Sequence, residues 1–125
     1  INKYISTIAK EKSITHWGNG NETREYININ DAAKMTSDCV EGKYANEAIT
    51  ITGQQKHTSR EVIEMIFEML NIKPDIKFLD NYDGPHYTFT PYSYTPKSGK
   101  KIVPNQYIDF GQGLYEIIKN NNFDD

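Results

Sequence analysis

The sequence predicts a small mixed α/β (α+β) fold. Three observations carry that reading. Short runs rich in β-branched and aromatic residues alternate with amphipathic helical patterns. None of the runs is long and apolar enough to be a central strand of a doubly wound sheet. The 125 residues make one domain, with room for about four helices and several short strands.

The elements follow in order. Tyr4, Ile5, Ile8 and Ala9 recur at helical spacing and predict a helix over residues 2–12. Residues 13–17, from Ser13 to Trp17, are β-branched and aromatic and predict a short strand. Gly18-Asn19-Gly20-Asn21 is a turn. Residues 24–29 alternate, with Tyr26 opposite Ile27 and Ile29, and predict a second strand. Asn30 or Asp31 caps the next helix, which runs to about Glu41 and ends at Gly42. Residues 47–52 form a strand that Gly53 closes. Thr58-Ser59-Arg60-Glu61 is a capping box, a hydroxyl followed three residues on by a glutamate. The helix behind it carries Val62, Ile63, Ile66, Met69 and Leu70 on one face and stops before Pro74. Residues 75–79 read as a strand, 87–90 as extended, and 91–104, with three prolines, as mostly loop. The final helix spans 109–121 with Phe110, Leu114, Ile117 and Ile118 inward, and residues 120–125 form a frayed tail.

Composition narrows the classes. Hydrophobic residues make up 37% and mean hydropathy is -0.71, low for a self-sufficient globule. Aromatics at 12% keep the chain out of the disordered class. Two readings stand: a polar but ordinary domain, or one that borrows apolar contacts from another domain. The first residue is Ile rather than Met, which favours a piece of a longer protein. The net charge of -3 and the lack of a basic run argue against a nucleic-acid partner. No apolar run is long enough to span a membrane. The single Cys39, near Met35 and Val40 on a helix, reads as a buried structural thiol. His16, His57 and His86 show no ligand spacing, so no metal site is predicted.

One stretch carries chemistry. Gly18-x-Gly20 leads into Arg24, then an alternating strand, then a helix start. A fixed cation at the mouth of a strand, beside a flexible turn, suits a phosphate. The alternative is a surface arginine paired with Glu22 or Glu25. Asn21, with Asn19 and Thr23, either offers donors to the same anion or does turn chemistry. The Gly-x-Gly precedes a strand and not a helix, so it is no dinucleotide fingerprint.

With Glu25, Tyr26, Ile27, Ile29, Asp31 and Ala32 following in fixed spacing, this stretch resembles the C-terminal substrate-binding part of extended short-chain dehydrogenases/reductases. These are the NAD-dependent nucleotide-sugar epimerases and dehydratases of the UDP-glucose 4-epimerase type. The later order also fits: a strand ending at Gly53, the capped helix from Thr58, and a closing helix at Gly113-Leu114. There are departures. The cofactor's Gly-x-x-Gly-x-x-Gly turn is absent. No catalytic Tyr-x-x-x-Lys occurs at Tyr4 or Tyr44, and elsewhere the spacing arises only by accident toward the C-terminus, without the preceding serine. The second phosphate-binding arginine has no clear counterpart.

The resemblance implies that residues 1–125 are a single substrate-binding lobe, lacking the Rossmann domain and inactive alone, of a cytoplasmic enzyme. NAD(P) would be held by the missing N-terminal domain, and neither cofactor nor catalytic residue belongs to this lobe. The implied partners are a nucleotide-diphosphate sugar, the missing domain and, through exposed apolar surface, a second copy of the chain. The implied substrate-binding residues are Arg24, Asn21, Lys97, Tyr92 and His86. Lys97, with Lys100 and Lys101, would meet phosphates, while Tyr92 would cover a base or sugar face; a solvated loop is the other reading. The alternative function is a free-standing, non-catalytic binding or assembly module.

Overall fold

The computed structural model describes residues 1–79 and 99–121. In chain order the elements are α1 (Asn2–Glu11), β1 (Ile14–Trp17), β2 (Thr23–Tyr26), α2 (Ile29–Val40), β3 (Ile49–Ile51), β4 (Gln55–Thr58), α3 (Ser59–Met69), β5 (Ile76–Leu79), β6 (Lys100–Ile102) and α4 (Phe110–Asn120). The predicted class holds: a small mixed α/β unit with four helices and short strands among the described residues.

The strands pair as three two-stranded ladders. β1 runs parallel to β5, with Ile14 opposite Ile76 and Trp17 opposite Leu79. β2 runs antiparallel to β4, which sets Arg24 opposite His57. β3 runs parallel to β6, with Ile49 opposite Lys100. Parallel partners cannot be joined by a tight turn, so distant parts of the chain must meet.

Helix α3 is the centre of the core. Its Val62, Ile63, Ile66 and Phe67 lie along one stripe, at most 1% exposed. Ile5 and Ile8 of α1, Ile14 of β1 and Leu114 of α4 close around them. The predicted capping box is present: Thr58 Oγ1 accepts from the Glu61 N–H (3.2 Å), and Glu61 accepts from the Thr58 N–H (2.7 Å). Met69 and Leu70, expected inside, pack only at the core's edge, whereas Phe67 is fully buried.

Several expectations need correction. β2 ends at Tyr26 and not at 29, because its partner β4 supplies only four residues. Asn28, rather than Asn30 or Asp31, caps α2 by accepting from the Asn30 N–H. Ile29 therefore belongs to the helix and is 77% exposed. Asp31 sits in the first turn, as a first-turn acid, and accepts from the Ile108 N–H at 2.8 Å. Cys39 is half-buried, and its neighbour Val40 is 82% exposed, because α2 buries no residue fully. β4 was not expected, since Gln-Lys-His-Thr has no apolar face. β6 falls within the expected loop. Ile117 is 36% exposed. The extended segment expected at 87–90 lies outside the described residues, as do positions 122–125 of the tail.

Candidate functional site

The turn before β2 is built from glycines that serve packing. Gly18 (φ 128°) and Gly20 (φ 84°) take backbone conformations that side chains rarely adopt. A Cβ at Gly20 would also meet the Phe78 ring at 2.5 Å, and one at Gly18 the Glu22 carboxylate at 2.0 Å. The turn thus folds back onto β5 and delivers Glu22 and Arg24 to one place.

That place is a cleft of about 630 Å³, walled in part by Tyr4, His16, Trp17, Glu22, Arg24 and Tyr26. Arg24 is half-buried, and its Nη1 donates to the Thr23 carbonyl at 3.1 Å. Glu25 is occupied by other groups. Its carboxylate, 3% exposed, accepts from Lys101 (2.9 Å) and Thr52 (2.8 Å) and lies 3.5 Å from Lys56. Burial pulls the Glu25 pKa up, but the bonds from Lys101 and Thr52 outweigh it and leave it below the ordinary range. This cross-link ties β2 to β6.

A hydrogen-bonded chain lines the same cleft. The Tyr4 hydroxyl meets His16 Nδ1 at 3.0 Å, and His16 Nε2 meets Glu22 Oε2 at 3.1 Å. His16 and Glu22 are buried. Burial raises the Glu22 pKa, yet its own N–H, His16 and Ser59 together hold it below the usual value. The Tyr4 phenol is pushed up by burial and by Glu22, with Arg24 acting against them. Tyr26 is raised by burial, again opposed by Arg24. The Arg24 cation therefore acts on both phenols at the cleft.

The other sequence candidates are placed as follows. Asn21 is exposed in the turn, its N–H bonded to Asn19 Oδ1 at 2.9 Å, and it does not line the Arg24 cleft. Lys97, Tyr92 and His86 lie outside the described residues. Lys101 is joined to Glu25, and Lys100 lies 3.9 Å from Glu47. Tyr115, with Lys119 four positions on, is on α4 and 51% exposed. Sequence reasoning missed His16 and Tyr4 because their partners come from different elements. The available signal was His16 at the same inward alternation as Ile14 on β1.

The Gly18–Gly20 turn does not fit a dinucleotide's pyrophosphate: it feeds a strand and not a helix, and its glycines face Glu22 and Phe78. Among the described residues no group of three or more His, Cys, Asp or Glu is placed to hold a metal ion, and no helix is long and apolar enough to cross a membrane.

Neither a family model nor a curated protein matches the sequence. Among solved structures, the fold is similar to that of a GDP-mannoheptose C4 reductase from Campylobacter jejuni with NADP bound. The TM-score is 0.57 at 12% identity, covering 94% of this chain and 41% of the reductase chain. The likeness is one of fold. The chain spans less than half of that reductase's length.

Proposed function

We propose that this chain is the nucleotide-diphosphate-sugar binding lobe of an NAD(P)-dependent sugar-nucleotide enzyme, and that Arg24 is its diphosphate-binding cation. The observation that carries this reading is Arg24 itself, fixed on β2 and half-buried in the wall of the cleft. A half-desolvated guanidinium binds an anion more strongly than a solvated one. The fold's likeness to a GDP-mannoheptose C4 reductase supports the same substrate class. In this reading the cofactor and the hydride chemistry belong to a further domain. This lobe holds the substrate still, which is itself a large contribution to rate.

Calorimetric titration with UDP-, GDP- and dTDP-sugars tests it. Arg24→Ala should lose about 1.5–3 kcal/mol of binding, tenfold or more in Kd. Equal binding by both proteins removes Arg24 from the site. The chain alone should give no turnover with NAD(P).

A further inference from the structure

The chain Tyr4–His16–Glu22 takes a single direction when Glu22 is ionised and His16 is neutral. An ionised carboxylate only accepts, so His16 Nε2 must carry the proton toward Glu22. In the neutral imidazole Nδ1 is then an acceptor, and the Tyr4 hydroxyl must give its proton to it. The Tyr4 oxygen keeps lone pairs beyond that bond, and Tyr4 and Arg24 line the same cleft. A tyrosine hydroxyl ordinarily turns to donate or accept as its partner requires; this one has its donor committed inside the protein.

We propose that Tyr4 is a ligand-binding residue, its oxygen locked by His16 and Glu22 as an acceptor that recognises a hydroxyl of the bound sugar nucleotide beside the diphosphate. The inference rests on the reading of Arg24 as the anion site and adds a second contact to it. Arg24 offers only donors and takes the charged oxygens; Tyr4 offers only lone pairs and takes an O–H. A cleft with both recognises a phosphate ester that carries a neighbouring hydroxyl and discriminates against a bare anion. The hydroxyl comes from the ribose or from the transferred sugar. His16 and Glu22 act through Tyr4 and are positioning residues.

The test is calorimetry on the 125-residue chain with pyrophosphate, UDP, 2′-deoxy-UDP, UDP-glucose and UDP-2-deoxyglucose, and with the guanosine and mannose counterparts. Pyrophosphate should bind wild type and Tyr4→Phe equally. Hydroxylated ligands should bind Tyr4→Phe about three- to tenfold more weakly, the range of one neutral hydrogen bond. Loss with 2′-deoxy-UDP assigns the ribose; loss with UDP-2-deoxyglucose assigns the sugar. These ligand-side deletions use the wild-type chain and so do not depend on the variant folding. Nitrogen-15 NMR of His16 should show the Nε2–H tautomer, a readout that general packing does not set. The proposal is overturned if Tyr4→Phe weakens pyrophosphate as much as the sugar nucleotides, if no deoxy ligand loses affinity, or if His16 carries a proton on Nδ1, as the tautomer or as the imidazolium. Loss of Arg24-dependent pyrophosphate binding would instead sink the underlying anion site.

Discussion

Glu25 shows how a single carboxylate organises the region behind the cleft. It is nearly inaccessible and is held by Thr52 and Lys56 from the β3–β4 stretch and by Lys101 from β6. Removing it takes that partner from the Lys101 ammonium and the Thr52 hydroxyl, while Lys56, its side chain 53% exposed, keeps its water. Glu25→Ala should cost about 2 kcal/mol, in the range for hydrogen bonds to charged groups, read as a lower urea midpoint at unchanged m. Acid should do the same reversibly. Glu22 and Glu25 both have pKa values held below the ordinary 4.5. A depressed carboxylate stabilises the fold above its unfolded value and stops doing so as pH falls through its folded value. Stability should therefore be flat near neutrality and drop below about pH 4.5, most steeply beneath that ordinary value. A midpoint that rises on acidification would contradict this. At this scale the sequence singles out Arg24 as a candidate, because an arginine after a Gly-x-Gly turn has a clear chemical use, and the structure places it in the wall of a cleft. The Tyr4–His16–Glu22 chain stayed hidden, since no local pattern joins positions 4, 16 and 22.

The helices were legible because their signals are local. The capping box at Thr58 is read from four consecutive residues and forms as read. Thr58→Ala should cost about 1 kcal/mol by thermal or urea denaturation, with helix content preserved. The strands were less legible, for a physical reason. β4 is polar throughout and β6 is three residues long, so neither carries a periodicity; each exists because a distant partner supplies its hydrogen bonds. The sequence marks Gly53 as the end of a strand, but the same dependence hides why no other residue fits there. A Cβ there would sit 1.5 Å from the Tyr26 carbonyl oxygen, so glycine is required where the chain after β3 crosses the end of β2. Gly53→Ala should be more damaging than Thr58→Ala and should weaken the binding proposed for Arg24 as well, because β2 must move.

The whole molecule rests on a small core. Phe67 is fully buried among Ile5, Ile8, Ile63, Ile66 and Leu114. Phe67→Ala should cost about 3–5 kcal/mol, a large share of the roughly 5–15 kcal/mol that holds a domain folded. Urea denaturation should show the midpoint lowered by that amount divided by m, with m unchanged. By contrast Ile29 and Val40 on α2 stand in water. Ile29→Ser and Val40→Ser should stay within about 0.5 kcal/mol of the parent in the isolated chain. A second hollow of about 540 Å³, with Ile29, Ile108, Phe110 and Ile117 on its wall, accompanies the low hydrophobic content read from the sequence.

The parallel ladders also govern how fast this shape can be reached. Ile14 must find Ile76, Ile49 must find Lys100, and Leu114 must arrive before the α1–α3 core is sealed. Contacts so remote along the chain have to overcome loop closure before they return any stabilisation. The chain should refold on the millisecond-to-second scale and not in microseconds. On the ribosome, its central helix must wait for the last one.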